Sequence, residues 1–432
     1  MTQIQNKENK INKKSIKKKF KKYLELKKLP KNNQKKIYLI FNFWLNAFEY
    51  VLHNFDKSQI SKLNKKIINK KLSLANAIKE VELEQDLENQ LSENKFFNFV
   101  SFFLIPIKNF NLTFGLTNNS FVYLYSYIFL KYKVFKKPSY IESQKINFVK
   151  TLVRNQYLEK KFYKFFLNFL PDNFFQKYSP ILDDVNIKVY PINFYFENNY
   201  INLFFKSKNI RIIGYQHGHG YNCFKNNIYY KIEKNISEKF IQLFPLNNFF
   251  GRFSKKELPY SPKPRIIWAL RRKISKFDLS LLNDFGEIMN YKKGLSLLDK
   301  KISNLNNSFF SINNNNYLYK PKYCNKVSKK NEKIENYIKK NDVLLFDSIG
   351  PSLIHFAILN NVIFYFFLSE KYSKKNLNIK YYNFLNALYQ NKFIFYLHEF
   401  NKFKNEMYKI QKDKIYLKNR QTKLSKIIST FY

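Results

Sequence analysis

The sequence predicts an α/β protein of two domains, and three observations carry that expectation. From about residue 187 short β-rich runs alternate with helical segments, the pattern of a mostly parallel sheet with crossover helices. The 432 residues suffice for two domains with a core each, and a 45% hydrophobic content excludes a disordered chain. A Pro-rich run, Leu258-Pro259-Tyr260-Ser261-Pro262-Lys263-Pro264, supplies the linker. The expected organisation is a basic arm over 1–34, a first domain over 35–257, the linker 258–264, a second domain over 265–400 and a helical tail over 401–432.

Taken in order, residues 1 to about 30 read as a solvated basic arm, helical from Ile16 to Leu29. Lys35 to Leu52 is apolar on most faces, too long for a strand and free of turn residues, so it predicts a buried helix. Ser73 to Leu91 is polar and predicts an exposed helix. Phe96 to Tyr132 mixes aromatic runs with Pro106 and Gly115 and takes no assignment. Ser143 to Leu170 returns to a helical period, closed by Pro171-Asp172-Asn173. The strand candidates are Ile187–Tyr190, Ile210–Ile213, Arg265–Leu270, Tyr317–Tyr319, Val343–Phe346 and Val362–Phe366. Helices are expected over Asn199–Lys206, Leu279–Leu298, Lys329–Lys339, Pro351–Leu359 and Asn378–Tyr389.

Composition narrows the function classes. Cys223 and Cys324 are too few and too isolated for a disulfide framework or a zinc site, which fits a reducing compartment. The Lys-rich amino terminus lacks the apolar core of a secretory signal. The longest apolar stretch, Val343 to Leu368, is interrupted by Asp347, Gly350, Pro351, His355, Asn360 and Asn361, so no transmembrane helix is expected. The net charge of +46 suits polyanions, but it is nearly all Lys, with about seven Arg, and is spread along the whole chain. That reads as compositional drift rather than a surface built for phosphate or base readout, where Arg is preferred. Nucleic acid is therefore an unfavoured partner, while anionic membrane surfaces and anionic substrates remain favoured ones.

Four places can carry chemistry. The run Arg211 to Gly214 reads as a strand ending in Gln216-His217-Gly218-His219-Gly220. This loop holds two imidazoles able to move a proton near neutral pH, and glycines that let the backbone approach a ligand. Lys320, fixed by Pro321 at the end of the Tyr317–Tyr319 strand, suits a phosphate. In Asp347-Ser348-Ile349-Gly350-Pro351-Ser352 a small-residue turn joins a strand to a helix, offering free amides and hydroxyls to an anion. Arg271-Arg272 follows the first strand of the second domain. Asp183-Asp184 lacks flanking residues at ligand spacing, and no metal site is expected. Each also has a structural reading, as an ordinary turn, cap or surface charge.

Together these features resemble a bacterial family of surface-carbohydrate transferases related to CDP-glycerol glycerophosphotransferases and capsule Kdo transferases. Gly214-Tyr215-Gln216-His217-Gly218-His219-Gly220-Tyr221 is close to that family's Gln-His-Gly-Gly-x-Tyr-Gly loop. Glu233-Lys234-Asn235-Ile236-Ser237-Glu238-Lys239-Phe240 is similar to its Glu-x-x-Ile-Ser-Asp-Lys-Phe segment. Tyr38 to Tyr50 resembles its Trp-containing helix, Ser348 to Val362 the turn and helix that cradle a nucleotide, and Lys320-Pro321 stands in place of a His-Pro motif. His219 and Asn222 replace glycines, His355 stands where a ribose-binding Glu is common and Val362 where Pro is usual, and a Trp-Gly-Trp is missing after Phe240.

The resemblance implies two Rossmann-like domains facing a cleft, the GT-B architecture, with a helical N-terminal extension. It implies transfer of a sugar from a nucleotide-activated donor to a surface-polysaccharide or lipid-linked acceptor, in the cytoplasm or on the inner membrane face. The donor is a substrate and no cofactor or metal is needed. The catalytic residues would be His217 and His219. Gln216, Gly218, Gly220, Arg271, Lys320, Ser348, Gly350, Ser352 and His355 would bind substrate. The alternatives are glycerophosphate transfer, a nucleic-acid-binding protein and a membrane-surface scaffold.

Overall fold

The computed structural model describes residues 11–70, 73–83, 110–114, 140–180, 182–189, 197–215, 223–225, 227–241, 255–261, 263–269, 277, 285–303, 305, 308–310, 334–351, 353–369, 371–372 and 374–431. It is a mixed α/β protein, mostly helical, with two small parallel sheets. Two compact units form: Met1–Tyr215 with Lys231–Ile241, and Gln216–Tyr230 with Gln242–Tyr432. The Pro-rich 258–264 run thus lies within the second unit, as does the stretch holding the Gln-His-Gly loop.

The first unit opens with α1 (Lys13–Glu25), α2 (Lys31–Asn54), α3 (Lys57–Lys70) and α4 (Leu74–Leu83). The described part of its amino-terminal segment, from Ile11, is not a solvated arm. Ile16, Phe20 and Leu24 fall one turn apart, make a stripe, and are buried, with Phe20 stacked on Phe41 of α2 at 3.7 Å between ring centroids. The helix expected over Lys35–Leu52 is α2, whose Trp44 donates Nε1–H to Phe169 O at 3.2 Å and meets Phe166 edge-on. The exposed helix expected from Ser73 is corrected too. In α4, Leu74, Ala75, Ala77 and Ile78 are buried and Glu80 pairs with Lys66, because small apolar residues let the helix pack closely against α2 and α3.

Then come β1 (Phe110–Phe114), α5 (Tyr140–Arg154), α6 (Tyr163–Phe169), β2 (Leu182–Val189), α7 (Glu197–Lys206), β3 (Ser207–Tyr215), α8 (Ile228–Ile236) and β4 (Lys239–Ile241). The single helical period expected over Ser143–Leu170 is broken after α5, where Gln156 takes a left-handed backbone with φ 57°. The sheet runs β1-β2-β3-β4, all parallel.

The second unit contains β5 (Ile266–Ala269), α9 (Phe285–Ile302), β6 (Ser308–Phe310), β7 (Val343–Phe346), α10 (Leu353–Leu359), β8 (Ile363–Leu368), α11 (Ile379–Gln390), β9 (Ile394–Tyr396), α12 (Phe400–Lys412) and α13 (Lys414–Phe431). Strands β5, β7, β8 and β9 are buried at every residue, as expected of parallel strands covered on both faces. The order is β6-β5-β7-β8-β9, all parallel. Ranked by chain position within the unit this is 2-1-3-4-5, so the direction of winding reverses between β5 and β7. The strand expected at Tyr317–Tyr319 lies outside the described residues, and β1, β4, β6 and β9 had no sequence-based expectation. The carboxyl-terminal helices do not trail off: Phe403, Met407, Ile410, Leu417 and Leu424 belong to the second core.

Candidate functional site

In an open parallel sheet the crevice for a ligand forms outside the carboxyl ends of the strands where winding reverses. Here that place is the end of β5 and β7. β7 finishes at Phe346 and the chain turns through Asp347, Ser348, Ile349, Gly350 and Pro351 into α10. Trp268 on β5 donates its indole N–H to Asp347 Oδ2 at 3.2 Å, tying the two strand ends together. The Tyr381 hydroxyl of α11 donates to Ile349 O, and Cys223 Sγ lies 4.0 Å from the same carbonyl. Asp347 and Ser348 are buried, while Gly350 and Pro351 are half-buried at the rim. The turn is thus held from behind and open at its tip.

His355 falls in α10 at 3% exposure, inside the core of the second unit. Burial lowers its pKa to about 4, so the imidazole is neutral at pH 7. That placement suits packing of α10 on the sheet rather than contact with a ribose. α10 has only seven residues, short of the helix expected from Pro351. The Cys223 thiol is fully buried and its pKa is raised by desolvation, so it stays protonated and is no nucleophile.

The Gln-His-Gly loop is described at its two ends only. β3 ends at Tyr215, and Gly214 pairs with Phe240 of β4. A Cβ at Gly214 would stand 2.4 Å from Ser237 Oγ and 2.6 Å from the Phe240 ring, so only glycine allows this approach. The first residues of one segment of the family resemblance, Gly214 and Tyr215, thus pair with Phe240, the end of the other, and with Ile241 just past it. At the outgoing end, Lys225 N donates to Asn376 O and Asn378 N to Cys223 O, each at 2.9 Å, with an antiparallel bridge between Phe224 and Leu377. Gln216, His217, Gly218, His219 and Gly220 themselves lie outside the described residues, as do Arg271, Lys320 and Ser352.

Of the expected site residues, Ser348 and Gly350 share the turn after β7, and Cys223, three positions past Gly220, touches that same turn. In sequence Arg271 stands two positions after the end of β5, the strand next to β7. Trp268 and Tyr381 had no sequence-based role. A buried indole or phenol needs an acceptor, and the signal was a Trp inside a strand followed by a polar turn elsewhere. Asp183-Asp184 lies in β2, and no group of metal-ligating side chains occurs among the described residues. Nor is any described helix long and apolar enough to cross a membrane. No protein-family model, curated protein or solved structure matches this chain.

Proposed function

We propose that the protein is a transferase of the GT-B kind, moving a sugar from a nucleotide-activated donor to a surface-polysaccharide or lipid-linked acceptor. One observation carries the reading. The outgoing end of the Gln-His-Gly loop, at Cys223, is fixed against the turn after β7, at the strand end where the second sheet reverses its winding. A residue three positions past Gly220 is thereby held against the other stretch singled out for its chemistry.

In this reading His217 takes the proton of the acceptor hydroxyl as the new bond forms, with His219 beside it. The donor's phosphates lie at the turn after β7, where Gly350 lets backbone and ligand come close and Ser348 and Ser352 supply polar groups. Arg271 and Lys320 offset the charge that grows on the leaving phosphate, an electrostatic contribution that calls on no metal. Trp268 and Tyr381 hold the turn so that its amides are oriented before the donor arrives. His355 acts behind the site by packing α10, and the polycationic surface favours an anionic membrane face where such acceptors reside.

Thermal melting against CMP, CDP, UDP, GDP and their sugar conjugates tests this, with short DNA and RNA in parallel at two salt concentrations. A ligand selective for the native state raises the melting temperature. The expected result is a rise with one nucleotide, lost in Ser352→Ala or Lys320→Ala, together with turnover that disappears in His217→Ala. A rise with oligonucleotides alone, vanishing at the higher salt, would overturn the reading in favour of nucleic-acid binding.

A further inference from the structure

A second feature lies along the same edge of the second sheet, beyond β7. An open cavity of about 420 Å³ is lined by Lys301, Ser369, Leu397, His398, Phe400 and Asn401. Ser369 directly follows β8, and Leu397 and His398 directly follow β9. The volume is that of a small-molecule site. Among the described residues its polar lining is one ammonium, one imidazole, one hydroxyl and one carboxamide, with no carboxylate.

Among the described residues no carboxylate pairs with Lys301, whose ammonium instead stands 4.6 Å over the Phe400 ring. Glu399, which follows His398 in the chain, is committed elsewhere: it accepts from Tyr396 N at 3.2 Å and from Lys402 Nζ at 3.3 Å. The His398 ring lies nearly parallel to Tyr396, at 6° and 5.9 Å, which orients the imidazole.

The helix that brings Lys301 here is built to come close. A Cβ at Gly294 would stand 2.3 Å from Ser369 Cβ, so α9 can cross the end of β8 only with glycine at that point. Residues seven apart share a helix face, so the contact that seats Gly294 on Ser369 also turns Lys301 toward the cavity.

We propose that this cavity binds the phosphate group of a phosphorylated small molecule. Lys301 supplies the charge, and His398, Ser369 and Asn401 donate hydrogen bonds to the phosphate oxygens. The proposal is independent of the transferase reading, whose site is the turn after β7.

Titration calorimetry with inorganic phosphate and with pyrophosphate, against chloride at matched ionic strength, provides the test. Saturable binding is expected, weakened at least tenfold in Lys301→Ala and several-fold in His398→Ala. It should be unchanged in Lys418→Ala, an exposed cation on α13. Binding that is equal in Lys301→Ala and wild type, or that chloride reproduces, overturns the proposal. CMP and glycerol phosphate then separate the sources: a nucleotide-specific gain that Lys301→Ala removes assigns the cavity to a nucleotide, and equal gains from both esters assign it to phosphate esters in general. Melting temperatures in chloride, expected to match wild type, confirm that the variants fold.

Discussion

The two units bury cations differently. In the first, Lys36 on α2 is 3% exposed and its ammonium donates to Ile210 O at 3.2 Å. Desolvation lowers its pKa, and Glu238 only partly restores it. In the second, among the described residues, the enclosed cations are arginines, Arg265 half-buried and Arg420 buried. Arg265 holds Asp342 through two bonds, at 2.9 and 2.6 Å, and also donates to Tyr337 O. Arg420 pairs with Glu406 at 2.6 Å, donates to Asn391 O and Lys392 O beyond the end of α11, and lies 3.9 Å over the Phe393 ring. A guanidinium can bind a carboxylate and carbonyls at once; an ammonium is a point charge. Both units stack rings, as Phe20 on Phe41 and Phe367 on Phe403, but only in the second, among the described residues, does a buried ionic knot, centred on Arg420, tie the last helix to the sheet through Tyr365.

The largest effect should follow from cutting the Arg420 knot. Arg420→Ala leaves Glu406 buried beside the Tyr365 and Tyr416 hydroxyls and uncaps the turn after α11. Removing one partner of a buried pair costs about 3–5 kcal/mol. Lys36→Met, which deletes a cation already disfavoured by burial, should cost about 1 kcal/mol or less. Urea unfolding of both variants checks the contrast. Equal losses would break it, because the first unit would then depend on its buried charge as much as the second.

Those knots were hidden in the sequence for a physical reason. Arg is rare here, and rarity drew attention to Arg271-Arg272, an adjacent pair. Arg265 and Arg420 work through partners far along the chain, which only the fold brings near. Apolar runs were easier to read: Ile266–Ala269, Val343–Phe346 and Ile363–Leu368 are buried whichever way they face, and runs of that kind stand out. The turn Asp347-Ser348-Ile349-Gly350 was visible because small residues follow a strand. Lysine misled in the other direction, since it outnumbers the Ile16, Phe20 and Leu24 stripe of α1 and masks its amphipathic period. The grouping of Lys301 with Ser369 and His398 left no local trace, because three separate strand and helix ends contribute to it.

Acid should strike the second unit selectively. The first unit's histidine, His53, is exposed, whereas His355 is buried with a pKa lowered to about 4. Between about pH 6.5 and 4 the unfolded chain takes up a proton at this position and the folded one does not, so stability falls as pH drops through that window. The difference is worth about 3 kcal/mol at its full extent. His355→Leu removes the proton site, so the stability of wild type relative to this variant should decline by about that much from pH 7 to pH 4. Parallel pH profiles for the two proteins would refute it.

A smaller effect than that of Arg420 or His355 sharpens the other side of the comparison, the first unit's dependence on close approach. Gly214→Ala places a methyl group against Ser237 Oγ and Phe240 where no space exists, and overpacking of this kind costs about 1–3 kcal/mol. β4 has only three residues, so it can yield to the intrusion, which keeps the cost toward the lower end. Adding Ser237→Ala removes the nearest atom but leaves the Phe240 ring 2.6 Å from the new methyl, so the double variant should recover part of the lost stability and not all. Full recovery would show that Phe240 moves freely and that β4 is not held against β3 by packing. No recovery would place the whole penalty on the ring, and with it the reason that glycine stands two residues before the Gln-His-Gly loop.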